Sequence, residues 1–351
     1  MRQFLFYQFL AIGALFMLSS CEHDDPVSPI KPLEQRTVLL LTSEGYIYDQ
    51  SGKKIMELPN CEEANEIISD GDDYFVSGKT TKERVGYWKN GKWNTLHVDF
   101  IDDVEHWTDG IGKWDYYIFL FDYPNILRNS GIFPLEDCAD FQPADKCMSV
   151  TEGRCYVVGR DHPMDDNMYQ NAVLYSESKG KYVKTVLPKS RADINAAAYA
   201  VYAYDRTHTV IGGRNGEDPC LWIDGQLQIL PRLYDTHDRT GEGLPVAYVN
   251  SVTCCNGHTY AVGSDVQEDE DHNEIAMLWV DGMPYHLTSD QEGLYWSWAL
   301  EVIGYGDDWY ALSLEMYDVP GDQYSISIVV WLNGEVYRRF HGIDIVNFTV
   351  L

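Results

Sequence analysis

The sequence predicts an all-β chain folded as a single β-propeller, and three observations predict it. A short phrase recurs as Trp88-Lys89-Asn90-Gly91, Trp222-Ile223-Asp224-Gly225, Trp279-Val280-Asp281-Gly282 and Trp331-Leu332-Asn333-Gly334. Each copy follows a strand of one type, such as Tyr74-Phe75-Val76-Ser77-Gly78 or Tyr260-Ala261-Val262-Gly263. No segment sustains an apolar period of 3.6 over three turns, so helices should be few. The first repeat also lacks its opening strand, whereas residues 345–351 read as a strand with no repeat of their own.

The chain opens with Met1-Arg2 and an apolar run over 4–17, too short to span a bilayer, followed by Leu18-Ser19-Ser20-Cys21. That is the plan of a secretory signal. The last four residues resemble the lipobox of bacterial lipoproteins, which implies cleavage before Cys21 and acylation of Cys21. Residues 1–20 are then a lipoprotein signal peptide. Residues 21–35 are an acylated tether that Pro26, Pro29 and Pro32 keep extended. The acidic Glu22-His23-Asp24-Asp25 resembles the surface-export signal of Bacteroidota lipoproteins. The expected address is the outer membrane, surface-exposed, with a periplasm-facing anchor as the alternative.

From residue 36 to 351 the text is short strands and turns, read as one propeller domain. The first unit offers strands b, c and d only: Val38–Thr42, Tyr46–Asp49 and Lys54–Leu58. The second is complete, with strand a at Glu66–Ser69, b at Tyr74–Lys79, c at Val85–Lys89 and d at Lys92–Val98. Asn90-Gly91 suits the two-residue turn between c and d, because both residues tolerate positive φ. A degenerate unit covers 103–137, with Trp114–Phe121 as its strand b and Asn129-Ser130-Gly131 as a turn. The grammar then returns over 147–188, where Tyr175 replaces the Trp, and over 199–231, 250–288 and 301–340. Residues 345–351 supply the missing strand a, so the two ends share one blade and no sheet edge stays open. The expected count is seven blades, or six if 103–146 is an insertion. In each unit the strand-c Trp is expected to pack between neighbours rather than to touch a ligand.

These phrases resemble a repeat common in Bacteroidota cell-surface lipoproteins: Tyr-x-Val/Ala-Gly, a variable loop, Ala-x-Leu-Trp-x-Asn/Asp-Gly, then Leu-Thr. The fullest match here is Tyr260–Gly263, Ala276–Gly282 and Leu287-Thr288. The resemblance implies a propeller and a surface address, and no activity.

Composition bounds the function. The net charge of -29 is at odds with a nucleic-acid partner, which needs a basic surface. The 25 Tyr and 10 Trp favour strands. Seven cysteines remain after Cys21. Cys138 and Cys147 flank a loop that a disulfide would stabilise by roughly 2–3 kcal/mol; the adjacent Cys254 and Cys255 are expected to stay unbridged. No Cys-x-x-Cys pair suggests zinc.

In an up-and-down blade the a–b and c–d turns share one face and the b–c and d–a connections the other. Every long connection (160–171, 264–275, 314–326, 189–197, 232–247 and 289–297) falls in the second class. Long loops on a rigid scaffold are where binding residues collect. That face would present Asp161, His162, Asp165, Asp166 and Tyr169, then Tyr234, His237 and Arg239, with Tyr295, Trp296 and Trp298 just before or on an inner strand. Aromatic rings beside carboxylates suit carbohydrate.

Other signals are weaker. Ser77-Gly78-Lys79-Thr80 lacks the spacing and the helix of a phosphate-binding loop. The acidic run 265–271 carries carboxylates enough for calcium but not the spacing of an EF-hand, so no cofactor is assigned and an irregular calcium site is the one cation reading left. There is no Gly-x-Ser-x-Gly and no His-Glu-x-x-His. The sequence therefore favours a non-catalytic surface module binding a glycan or protein through the long-loop face. A glycan-cleaving enzyme using His162, Asp165 or other carboxylates on that face is the alternative. A structural subunit of an outer-membrane complex is a further one.

Overall fold

The computed structural model describes residues 31–81, 86–96, 110–114, 117–128, 131–161, 169–233, 247–266, 273–289, 293–319 and 323–351. In chain order its strands are β1 (Val38–Thr42), β2 (Tyr46–Asp49) and β3 (Lys54–Glu57); β4 (Cys61–Asp70), β5 (Asp73–Thr80), β6 (Gly86–Lys89) and β7 (Lys92–Thr95); β8 (Gly110–Trp114), β9 (Tyr117–Asp122), β10 (Asn125–Arg128) and β11 (Gly131–Pro134). Then come β12 (Phe141–Thr151), β13 (Arg154–Asp161), β14 (Asn171–Ser178) and β15 (Lys181–Val186); β16 (Ala196–Ala203), β17 (Thr209–Asn215), β18 (Asp218–Ile223) and β19 (Gln226–Ile229). The last are β20 (Tyr248–Cys255), β21 (His258–Val266), β22 (Glu274–Val280) and β23 (Met283–His286); β24 (Leu294–Tyr305), β25 (Asp308–Val319), β26 (Gln323–Leu332) and β27 (Glu335–His341); and β28 (Ile345–Val350).

The described strands form seven antiparallel sets of four. Six follow chain order, and in the remaining one β28 precedes β1, β2 and β3. Leu40 faces Phe348 in that pairing. A single parallel bridge, Lys146 to Ala200, joins the fourth and fifth sets edge to edge along their first strands. Residues 110–134 form a full set, which the sequence had read as a degenerate unit. Two details there differ from expectation. Trp114 ends strand a rather than opening strand b, and strand b begins at Tyr117. The Arg128–Gly131 pairing leaves a two-residue connection, 129–130, outside the described residues.

The buried apolar residues fall into clusters that each span two successive sets. Leu39 and Ile47 of the first meet Val76 and Trp88 of the second; Phe75 meets Leu120 of the third; Phe121 meets Val157 and Tyr175 of the fourth. The series continues with Val158 against Trp222, Leu221 against Trp279, and Val262 against Trp331, then closes with Leu312 and Val330 against Leu40 and Phe348. The cores therefore lie between sets, and the last returns to the first.

The recurring phrase now has physical causes. Asn90, Asp224, Asp281 and Asn333 all hold φ near +50°, which Asn and Asp tolerate best among residues with a side chain. Each side-chain Oδ1 also accepts the N–H that opens strand b, from Tyr74, Thr209, Thr259 and Trp309. Trp88, Trp222 and Trp279 are wholly buried and donate Nε1 to the carbonyls of Pro59, Pro188 and Pro231 in the connection that follows the preceding set. The strand-c Trp is thus a bolt between sets, as expected.

The Gly of Tyr-x-Val-Gly answers a different need. A Cβ on Gly78, Gly159, Gly213 or Gly263 would come within 2.2, 2.2, 2.1 or 1.9 Å of a carbonyl oxygen on strand a. At these positions strand a is irregular: register shifts follow Ala64, Pro143, Ala198 and Val249. The absent side chain lets the bulging strand approach.

Candidate functional site at the mouth of the central channel

The first strands of the seven sets, β28, β4, β8, β12, β16, β20 and β24, touch in that order and return to β28. Their bulges aim side chains into the space they enclose. The residue after each irregularity is Asn347, Glu66, Ser251 or Glu301 in four of the sets. Each accepts a backbone N–H from the next first strand: Ile67 to Asn347 Oδ1 (3.1 Å), Ile111 to Glu66 Oε2 (2.8 Å), Val302 to Ser251 Oγ (3.2 Å) and Phe348 to Glu301 Oε2 (3.4 Å). These bonds tie neighbouring first strands together.

Two of those acceptors are carboxyl groups, and a lysine pairs with one of them. Lys146 lies within the irregular stretch of β12, and its Nζ sits 2.7 Å from Glu301 Oε2. β12 and β24 are not neighbours in the ring, so the pair bridges the channel. Glu66 is half-buried, and its carboxyl is pushed up to about 8. Burial is the main cause; the charge of Glu301 adds to it, and the Ile111 N–H and Lys146 oppose it. Burial also raises Glu301, against the pull of Lys146. The cluster thus holds one carboxyl that keeps its proton near neutrality and a second paired with a cation.

Beside this cluster lies a cavity of about 580 Å3. Glu63, Asn65, Pro143, Lys146 and Asn347 line it from the inner strands, and Ser43 and Tyr123 from the β1–β2 and β9–β10 connections. All these residues sit at the end of the sheets from which the b–c and d–a connections leave. The cavity therefore opens on the face to which the sequence assigned function.

The residues the sequence named are distributed unevenly over that face. Cys21, His162, Asp165, Asp166, Tyr234, His237, Arg239 and residues 268–272 lie outside the described residues. Asp161 ends β13 and is buried, its Oδ1 2.8 Å from Lys184 Nζ on the outer strand. Tyr169 is exposed. Tyr295 packs its ring 5.5 Å from that of Tyr324, and Trp296 is half-buried against Trp298.

Asp161 is one case of a general device, in which a buried polar residue near the end of strand b anchors surrounding chain. Asn215 holds Ser190, Asp265 holds Arg232 and the N–H of Leu233, and Glu315 holds Ser289 and Arg339. Asp265 is therefore committed to Arg232 at 2.9 Å and withdrawn from the acidic run considered for calcium. Among the described residues no group of three or more His, Cys, Asp and Glu is arranged to hold a metal ion. No disulfide joins Cys138 to Cys147 across the loop they flank. They pack as small apolar groups in and against the cluster between the third and fourth sets. Cys254 and Cys255 are likewise unbridged.

No family model and no curated protein matches this chain. Solved structures do. A puromycin-hydrolysing peptidase of Mycobacterium tuberculosis superposes with a TM-score of 0.52 at 10% identity, over 91% of this chain and 54% of that one. The likeness is one of fold. This chain spans about half the length of that peptidase. More distant similarities include a subtype N11 neuraminidase-like protein of a flat-faced bat strain (TM-score 0.43, 11% identity, 84% of this chain and 97% of that one). Another is an α-L-arabinanase of Cellvibrio cellulosa (TM-score 0.37, 9% identity, 65% and 94%). The chain is all-β and propeller-like.

The sequence did not point to Glu66, Lys146 or Glu301. The signal they share is a charged residue just before two apolar ones on a first strand: Glu66-Ile67-Ile68, Lys146-Cys147-Met148 and Glu301-Val302-Ile303.

Proposed function

We propose that the chain is a single seven-bladed propeller that binds a glycan at the channel mouth and is displayed on the outer membrane through acylated Cys21. The closed series of inter-set cores supports the blade count. The cavity carries the functional reading. Its polar groups, Glu63, Asn65, Lys146 and Asn347, converge from several blades, with the face of Tyr123 beside them. Hydroxyls bond to such groups while a sugar's C–H face stacks on a ring. The test is a glycan array probed with the purified protein, beside Glu63→Ala and Asn65→Ala. Binding that falls at least about tenfold in either variant, with melting unchanged, supports the reading. Absence of any bound glycan, or indifference to both changes, overturns it.

A second reading, glycan cleavage, is favoured by one observation: Glu66 and Glu301 flank Lys146 beside the cavity. In it, Glu66 gives its proton to the departing glycosidic oxygen while Glu301 takes one from the attacking water. Sugar released from a polysaccharide panel, abolished by Glu66→Gln while binding persists, would establish it. The Gln amide still accepts the Ile111 N–H, so the variant keeps the strand tie.

A further inference from the structure

The last blade stands taller than the others on the cavity side. β24 and β25 run 12 residues each and β26 runs 10, whereas the other strands of the described residues have 4 to 11. The Phe348 N–H bond places Glu301 level with Asn347, which lines the cavity. Tyr295 lies six residues before Glu301 on the same strand, with one bulge between them. At about 3.3 Å per residue that is roughly 17 Å further out along β24. The β24 strand touches β28, whose Val346 and Asn347 belong to the cavity wall.

The top of this wall is aromatic and open. Tyr324 is 57% exposed and Ile326, two residues on and so on the same side of β26, is 52% exposed. The Tyr295 ring meets that of Tyr324 at an interplanar angle of 34°. Two tyrosine rings held together form a platform of fixed orientation, which loses little side-chain freedom when a ligand stacks on it. Tyr295 on β24 and Tyr324 on β26 thus stand outward of the level of the cavity, on the set that touches the β28 part of its wall.

We propose that Tyr295 and Tyr324 form a distal subsite that makes the protein selective for an extended, neutral polysaccharide over its short fragments. The inference rests on the glycan-binding reading above. Charge narrows the class: a protein of net charge -29 repels uronate-rich or sulfated chains at long range. Stacking on the wall adds affinity only for chains long enough to leave the cavity and reach it.

The experiment uses the purified lipoprotein in detergent with neutral glucans, xylans, mannans, galactans and arabinans and with an anionic galacturonan, each as disaccharide, hexasaccharide and polymer. In the series that binds, the hexasaccharide should bind about tenfold more tightly than the disaccharide. Tyr324→Ala should remove that gain and leave disaccharide affinity unchanged; Tyr324→Phe, which keeps the ring, should retain it. Equal affinity at both lengths, or an equal loss at both lengths in Tyr324→Ala, overturns the distal subsite while the cavity reading stands. Failure of every series at every length overturns both. Binding of anionic chains alone overturns the assignment of a neutral ligand.

Discussion

Leu40 and Phe348 sit opposite each other on adjacent antiparallel strands, and neither exposes any surface. They lie near opposite ends of the described chain, so their contact joins the last part of the chain to the first set. Truncating Phe348 to Ala leaves a cavity in the core between the last and first sets and should cost about 3–5 kcal/mol. Deleting residues 345–351 should do more. It strips β1 of its partner and exposes the row Val38–Leu41, which is wholly buried here. Equilibrium unfolding of the first variant and size-exclusion of the second check this; the deletion should aggregate.

Trp279 ties the sixth set to the fifth both by packing and by its bond to Pro231 O. Trp279→Ala should lose about 3–5 kcal/mol. Trp279→Phe keeps most of the ring but orphans the carbonyl, at about 1–3 kcal/mol. Trp296→Ala, half-buried near the wall, should change stability by less than about 1 kcal/mol. Denaturation midpoints for the three variants would reveal which tryptophans hold blades together.

Much of the frame was legible in the sequence, because the residues that build it act locally. Asn90 and Asp281 announce a turn by their own backbone preference, and the Trp two residues earlier marks the face that meets the preceding set. Strand a was legible in position but not in extent. Asn65 sits at a bulge in β4, which breaks the alternation of inward and outward residues, and a strand of ten residues, Cys61–Asp70, reads as four. The candidate site was hidden for a related reason. Glu66, Lys146 and Glu301 are far apart in the chain and meet only across the closed ring. Asp161 misled in the opposite sense: at the edge of a polar loop it resembles a free carboxylate, yet it is buried against Lys184.

The Glu66 carboxyl makes stability depend on pH in a defined direction. Its value rises from 4.5 to about 8 on folding, so the folded protein holds the proton more tightly. Its stabilising contribution is then complete below about 4.5 and is lost as pH climbs toward 8. An unscreened shift of that size would amount to ~5 kcal/mol, and channel water should reduce it to about 2. Urea midpoints of the protein and of Glu66→Gln, taken at about pH 5 and about pH 9, isolate this group. The wild-type protein should lose about 2 kcal/mol relative to the variant over that interval. A constant difference would mean that the carboxyl titrates normally.

Asp265 and Arg232 are both buried, with Nε 2.9 Å from Oδ1, and the second carboxylate oxygen accepts the Leu233 N–H. Asp265→Ala should cost about 3–5 kcal/mol, since it leaves the guanidinium buried without its partner. The double variant with Arg232→Met should recover a large part of that loss. Full additivity in a double-mutant cycle would show that the two side chains act independently.

Gly263 tests whether the inner bulge is built in or incidental. Its missing Cβ would stand 1.9 Å from Tyr248 O, a backbone atom fixed by the ladder between β20 and β21. Relief requires the two strands to separate where β20 shifts register, between Val249 and Ser251. Asn250 occupies that shift and donates Nδ2 to Ala299 O of the next set, so separation also loosens a tie between blades. Gly263→Ala should therefore destabilise by at least about 2–3 kcal/mol, well beyond the usual penalty for adding a methyl group. The last set gives the control. It carries Ser313 at the equivalent position, buried, with Oγ accepting from Trp331 Nε1 at 2.8 Å. Ser313→Gly removes that acceptor without creating a clash and should cost only about 1–2 kcal/mol. If Gly263→Ala proved as mild as Ser313→Gly, strand a would have room to move, and the glycine of Tyr-x-Val-Gly would not be what holds the bulge toward the channel.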